Sequence, residues 1–503
     1  MTIRPAVATS DAPRTHLARE ISLLGLVATA FGAMIGIGIN ILPFMVQRSQ
    51  PGVGASVPVA YLVAAVPAGL AALCYAILAS AMPRAGGSYV NATRALDPFA
   101  GFLASFAQWF GLSIGMGVVA YLMVPMLRDL LATAGLTAIA PAFDRGIVRV
   151  PLALAAMWFA WWINVIGVRS YQRTLVVMAT ITIVGPIIMT VAGAMFTHAD
   201  FDAAVSARGL SAGGANTPLP PFTSAAFWGT CVVLFSSFIG FDSVSQAGGE
   251  AKRPGDLARA ILLAIGVIAV YYIVFTWAVY HAVPWQYIYR ESLVHDISAP
   301  GLLSLLLPRW AGLAILLAVT VAILKVIPAV MLANSRMLYA FSTDRIFPEP
   351  LSRVHPRFRT PHVALTVTAI LGSASVLGCK IGGDFFLGVD ILVISMLFNY
   401  FLMAWAVLAF PRVNRSLYSR VQFMKSRPAQ VAVAATAMVA LGALFIVQVA
   451  ADWRSTQPWY LRSTPEWLFV MACGSIVFAR FWVRLKRRGI NPRTDIFGQL
   501  PAD

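Results

Sequence analysis

Thr29-Ala30-Phe31-Gly32-Ala33-Met34-Ile35-Gly36-Ile37-Gly38-Ile39-Asn40 is the stretch on which the reading of this chain turns. It lies inside an apolar run, 21–46, long enough to cross a bilayer, for which roughly 20 apolar residues suffice. Three glycines within seven residues disfavour a continuous helix, each by roughly 1 kcal/mol relative to alanine. A second run, 223–249, has the same character. Phe235-Ser236-Ser237-Phe238-Ile239-Gly240-Phe241-Asp242-Ser243 sets small polar residues, a glycine and a carboxylate in mid-run, with Gly248 and Gly249 beyond. Taken alone, Gly32-xxx-Gly36 reads equally well as a close helix-packing motif. Taken as a pair, the two runs point to helices interrupted deep in a membrane.

The rest of the chain agrees with a membrane setting. Of 503 residues, 59% are apolar and 11% charged, whereas a soluble domain carries about 25% charged residues. Mean hydropathy is +0.78. Disorder, collagen-like repeats and an ordinary cytosolic enzyme are excluded. Apolar runs near 21–46, 57–82, 99–127, 150–168, 174–196, 223–249, 258–284, 302–341, 362–379, 384–410, 429–451 and 465–485 predict twelve spans in an all-α polytopic membrane protein. Residues 1–20 are polar, carry Arg4, Arg14 and Arg19, and lead into a span without an obvious cleavage site, so the first span is expected to stay in the bilayer. The four cysteines form no CxxC and the six histidines no HExxH. Neither a disulfide framework, nor a metal site, nor any cofactor is expected.

Net charge is +17, which in a soluble chain would suggest nucleic acid. Here the basic residues fall between the apolar runs and orient the chain, so no nucleic-acid partner is expected. With both ends cytoplasmic, 26 of the 37 Lys and Arg lie on the inner side, ten on the outer, and Lys325 within a span. That asymmetry predicts a multi-pass protein of the inner (plasma) membrane with both termini inside. The expected organisation is a cytoplasmic segment 1–20, five spans over 21–196, five over 223–410, two more over 429–485, and a cytoplasmic tail 486–503. The outer loops near 197–222 and 285–301 lack the bulk of a soluble domain.

Spans 1 and 6 each open a set of five. Five is odd, so the second set enters from the opposite side and the halves read as inverted repeats. Matching interruptions in two such halves point to a transporter's substrate site. Unwinding frees backbone N–H and C=O groups, which cannot stay unpaired in hydrocarbon. A half-helix N-terminus favours an anion, and freed carbonyls favour a cation or ammonium. A zwitterionic amino acid satisfies both.

These motifs resemble those of the amino acid–polyamine–organocation superfamily over nearly the whole chain. Ala33-Met34-Ile35-Gly36-Ile37-Gly38-Ile39 is similar to its first-helix G-x-G-I signature. Met82-Pro83-Arg84-Ala85-Gly86-Gly87-Ser88-Tyr89 with Asp97-Pro98-Phe99-Ala100-Gly101-Phe102 resembles its P-R-A-G-G-x-Y…G-P-x-x-G-F loop. Phe238-Ile239-Gly240-Phe241-Asp242 with Glu250-Ala251-Lys252-Arg253-Pro254 resembles its sixth helix and the following loop. Ser335-Arg336-Met337-Leu338-Tyr339-Ala340 through Asp344-Arg345-Ile346-Phe347-Pro348 resembles the end of its eighth. The resemblance implies a LeuT-like five-plus-five inverted repeat with two extra helices, helices 1 and 6 discontinuous, and alternating access. It implies that the amides of Gly36, Ile37 and Gly38 take a substrate carboxylate. The carbonyls of Met34, Ser236 and Ile239 would take the amino group, with Gly240 in the second break. Ser236 stands where some relatives carry a bulky aromatic gate. Many proton-coupled relatives carry a span-5 lysine; by spacing, Thr182 stands there instead. Gly249 replaces the first of the usual acidic pair after span 6.

Lys325 is the one basic residue deep in an apolar run. A charge at the bilayer centre costs at least about 2.5–3.5 kcal/mol on insertion scales, so Lys325 is a candidate coupling residue replacing the span-5 lysine; snorkelling or a structural salt bridge is the alternative. Asp242 either orients the unwound segment, meets a cationic substrate, or caps the second half-helix. Asp390 and His281 read as residues near an outer helix end. Trp158, Trp161 and Trp162, placed near the start of span 4, read as an aromatic interfacial belt. The function expected is a secondary active permease for amino acids or related amines, by proton-coupled symport or by exchange (antiport), with a proton as the candidate driving ion. No GxxxxGK[ST] is present to use ATP. A receptor or channel on the same scaffold is the alternative, and an intramembrane enzyme lacks a catalytic constellation. A small or neutral amino acid is the expected substrate, since a polyamine would need more carboxylates than Asp242.

Overall fold

The computed structural model describes residues 21–84, 86–166, 185–210, 217–246, 248–498 and 500. The first helices are α1 Leu23–Met34, α2 Ile37–Asn40, α3 Leu42–Ser49, α4 Val57–Ala81, α5 Gly87–Ala95, α6 Pro98–Thr133 and α7 Gly146–Ile166. After α8 Gly185–Met195 come α9 His198–Ala207, α10 Ser224–Phe235, α11 Ser243–Gln246, α12 Asp256–Ala282, α13 Trp285–Ser292 and α14 Ala299–Ser304. The remainder holds α15 Arg309–Thr343, α16 His362–Ile381, α17 Phe386–Val413, α18 Arg415–Tyr418, α19 Arg427–Arg454, α20 Ser463–Arg487 and α21 Pro492–Asp495. Among the described residues the one β pairing is an isolated parallel bridge between Ile21 and Ala251.

Ten helical stretches among the described residues are long and apolar enough to cross a membrane. The first expected span is not one of them, because the chain leaves the helix at Ile35 and Gly36 and bends again at Ile41, dividing it into α1, α2 and α3. Of the fifth, only α8 is described, and Thr182 lies outside the described residues. Helix starts follow local chemistry. Asp97 caps α6 by accepting from the amides of Phe99 (2.8 Å) and Ala100 (3.4 Å), with Pro98 in the first turn where no amide is needed.

Two expectations need correction. The long run 302–341 is not one helix: Pro308, extended and without an N–H, separates α14 from α15, so the eighth span begins at Arg309. The fourth span begins at Gly146 rather than 150, because Arg149 is not a solvated flank but a buried, paired residue of its first turn. Trp158, Trp161 and Trp162 therefore lie in the second half of a 21-residue helix, not at its start. Trp158 and Trp162 are exposed on its outer side, and Trp161 turns inward to donate to Thr366 Oγ1 (3.1 Å).

α6 is the most buried span and is packed by α15, α16 and α17, whereas α7, α19 and α20 are peripheral. Val439, Ile446 and Phe469 lie exposed on the peripheral helices, as a surface solvated by acyl chains requires. Both described ends lie on one face, here the terminal face. Ile21 exchanges backbone hydrogen bonds with Glu250 and Lys252 (2.9 Å each), and Arg493 pairs with Asp97 (3.3 Å).

Candidate functional site

α1 stops at Met34. Ile35 is extended (φ −79°, ψ 101°), Gly36 leaves helical space, and α2 adds one turn before Ile41 bends the chain into α3. Asn40 stitches this turn, its Nδ2 donating to the Gly36 carbonyl (2.8 Å). The first backbone donor within the new turn is Ile41, bonded to Ile37. The amides of Ile37, Gly38 and Ile39 stand ahead of it, where a helix offers N–H groups without intrahelical partners. The second interruption mirrors the first. α10 tightens into a 3₁₀ turn, Ser236–Phe238, Ile239 is extended, and helix resumes at Ser243. Gly240 has φ +130°, and a Cβ there would lie 3.0 Å from Ala33 and Met34.

The two breaks touch. A Cβ on Gly38 would lie 2.8 Å from the Cα of Ser237. The Gly38 carbonyl accepts from Tyr61 Oη (2.7 Å) and Ser237 Oγ (2.9 Å). Tyr272 Oη donates to the Met34 carbonyl (2.7 Å), with the Ser237 carbonyl at 3.1 Å. Freed carbonyls at this depth need donors, and α4 and α12 supply them as tyrosine hydroxyls. Sequence reasoning missed Tyr61 and Tyr272. The available signal was a phenol in the middle of an apolar run, whose hydroxyl must find a partner.

Between the breaks lies a cavity of about 80 Å³, on a measure where one water needs roughly 10–15 Å³. Met34, Gly36, Ile37, Gly38, Ser236 and Ile239 all line it, joined by Ser237. Leu112, Met116 and Val119 of α6, Val326 and Val330 of α15, and Val389 and Leu392 of α17 close its sides; none of its lining residues is charged. Gly240 shapes the break without lining the cavity. Ser236 Oγ is turned to its own helix, donating to Val233 O (2.6 Å). Lys325 is buried on α15, directly before Val326, and is not among the lining residues. Pro328 on the next turn has no N–H to offer the Leu324 carbonyl, so the helix is loosened beside the lysine.

Asp242 is not brought to the cavity. It is buried and accepts from Gln108 Nε2, Tyr400 Oη (3.1 Å) and the Gly240 amide (3.2 Å). The chain of bonds continues. Ser88 donates to Gln108 Oε1 (2.7 Å), Tyr75 meets Ser88 (2.6 Å), and Asn399 donates to Tyr75 (2.9 Å). This network ties α4, α5, α6 and α17 to the second break on the terminal side of the cavity. Gln108 and Asn399, amides inside apolar runs, were its overlooked sequence signal.

The opposite side carries a cluster of ion pairs. Asp296, between α13 and α14, bridges Arg149 (2.6 Å) and Arg48 (3.1 Å), and Arg48 also reaches Asp384 (3.3 Å). Arg128 pairs with Asp129 and Asp144 (2.8 Å each) and donates to the Asp296 carbonyl (2.7 Å). His295 lies 3.6 Å from Asp144. Arg48, Arg128 and Asp384 belong to the stretches of chain that carry the lining residues Leu42, Val119 and Val389. Asp390 is in the second turn of α17, just beyond Asp384, and His281 contacts the Gly193 carbonyl (3.2 Å) near the end of α12. Among the described residues no three His, Cys, Asp or Glu side chains come together to hold a metal.

Comparison with known proteins places the chain among transporters by sequence. A family model described as amino acid permease matches residues 21–473. The chain is 25% identical over 376 residues to the vacuolar cationic amino acid transporter 4 of Arabidopsis thaliana, covering 73% of this chain and 59% of that protein. It is 24% identical over 371 residues to the branched-chain amino acid permease BcaP of Bacillus subtilis (strain 168), covering 71% and 75%. It is 25% identical over 366 residues to the methylthioribose transporter of the same bacterium, covering 71% and 74%. The chain spans little more than half the length of the plant relatives, 59% of one and 54% of another. With two interrupted helices meeting around a cavity and a family match over most of its length, the chain belongs to the amino acid permease family.

Proposed function

We propose that this protein is a secondary transporter carrying a small, neutral, aliphatic amino acid across the plasma membrane by alternating access. The observation that carries the reading is the cavity between the two breaks, with backbone at its ends and aliphatic side chains around it. The amides after Gly36 suit a carboxylate, and the Ile239 carbonyl, with the second lone pair of Met34 O, suits an ammonium. The walls add no carboxylate for a cationic side chain. Leaving a guanidinium or ammonium unpaired there would cost several kcal/mol, so the kinship with cationic transporters does not extend to their substrate class. The interruptions in the first and sixth spans support a five-plus-five inverted arrangement over 21–196 and 223–410. The positive-inside count supports a cytoplasmic terminal face.

Counterflow in proteoliposomes tests this. Preloaded L-alanine or L-valine should drive uptake of the labelled amino acid, while L-arginine should not. Exchange driven by arginine alone, or by none of these, removes the proposal. Lys325 is proposed as the coupling residue. Lys325→Met should abolish accumulation driven by an imposed pH gradient while sparing counterflow; undiminished accumulation in both Lys325→Met and Lys325→Arg would exclude the role.

A further inference from the structure

The segment after α20 turns back under the protein. The chain reverses at Gly489, Asn491 caps α21 by accepting from the Arg493 amide (3.2 Å), and Phe497 is then buried, 3% exposed. The Phe497 ring receives the Arg94 guanidinium at 5.4 Å, and the same guanidinium lies 5.9 Å from the Tyr89 ring. Tyr89 meets Phe497 edge-on at 6.5 Å and donates its hydroxyl to Asp344 at the end of α15. Ile490, Ile496 and Leu500 rest on the same aromatic cluster, and Arg493 pairs with the α6 cap Asp97. An exposed tail with no task does not bury a phenylalanine against a desolvated arginine.

Tyr89 and Arg94 both belong to α5, and α5 also holds the second interrupted helix. Asn91 Nδ2 donates to Ser245 Oγ of α11 (3.2 Å), and a Cβ on Gly87 would lie 2.8 Å from Gln246 Cγ. Ser88 begins the chain of bonds that runs through Gln108 to Asp242. The tail therefore grips the element whose other contacts hold the second break on the terminal side of the cavity. We propose that residues 489–498 are a strap that clips α5 to the end of α20 and holds α11 shut, so that opening of the terminal side requires the strap to loosen. The inference takes from the proposed function only that α11 moves. It gives transport a control point remote from the cavity, one that any event displacing Phe497 would operate.

The test reads that opening directly and needs no knowledge of the substrate. Ser245→Cys is introduced in a Cys473→Ser background, where Cys74, Cys231 and Cys379 are buried, and its alkylation by a membrane-permeant maleimide is timed in the full-length protein. Adding Phe497→Ala should speed alkylation by roughly three- to tenfold, the factor a partly desolvated cation–π contact is worth. Phe497→Leu keeps an apolar group in the seat but loses the ring, and should give a smaller increase in the same direction, which decides the matter if the alanine variant fails to fold. Unchanged or slower alkylation in a folded Phe497 variant overturns the proposal. Because alkylation is read without substrate, a failure of the amino acid counterflow leaves this test intact.

Discussion

Gly38 and Gly240 show what a missing side chain accomplishes. At Gly38 the two interrupted helices approach until a Cβ would overlap Ser237 backbone, and at Gly240 the chain takes a positive φ beside Ala33 and Met34. Gly38→Ala should separate the breaks and abolish counterflow, while the protein still inserts and elutes as a single species on size exclusion. Left-handed backbone at a non-glycine residue costs roughly 1–3 kcal/mol, so Gly240→Ala should lower the melting temperature as well as transport. Asp242 gives a different outcome. Its carboxylate is held by three donors and does not line the cavity, and bonds to a charged group are worth about 1.5–3 kcal/mol each. Asp242→Asn should therefore reduce thermal stability clearly and leave substrate preference, read as the ratio of competing amino acids in counterflow, unchanged. A shifted ratio would place Asp242 in contact with substrate after all.

The loop between α13 and α14 supplies the carboxylate at the centre of the far-side ion cluster. Asp296 is nearly buried between two guanidiniums, and removing one partner of a buried pair strands the other at a cost of about 3–5 kcal/mol. Asp296→Asn should lower the melting temperature by more than any single rim substitution, such as Arg462→Ala, does. The His295–Asp144 pair adds a pH dependence. His295 is held above its ordinary 6.5, first by its bond to Asp144, which outweighs burial. Burial alone would raise the Asp144 carboxyl, but the His295 bond and the Arg128 charge bring it below 3.8. A raised imidazole contributes stability that is complete below 6.5 and disappears as pH climbs through its folded value. The depressed carboxyl contributes above 3.8 and is lost as pH falls. Melting curves of the wild-type protein should thus decline as pH rises above 6.5, and His295→Gln should flatten that limb; an unaltered profile would exclude the pair as its source.

Across the molecule, the breaks were legible at Gly32-Ala33-Met34-Ile35-Gly36-Ile37-Gly38 and Ile239-Gly240-Phe241-Asp242 because helix disruption is a local property, carried by glycine and small polar residues. The start of the eighth span was misplaced because Leu302, Leu303, Leu305, Leu306 and Leu307 keep hydropathy high across a turn followed by Pro308. Nothing local marks Arg149 as a buried, paired residue, since its partner Asp296 lies 147 positions away; the identity of an ion-pair partner is not a local quantity. The same holds for Tyr61 and Tyr272, and for Phe497 on Arg94. Composition and periodicity were enough for a helical membrane protein with two opened helices, because water exclusion and backbone hydrogen bonding act residue by residue. Which hydroxyl answers each freed carbonyl, which carboxylate stays out of the cavity lining, and how the tail grips α5 were settled only by packing, where groups distant along the chain come within bonding range.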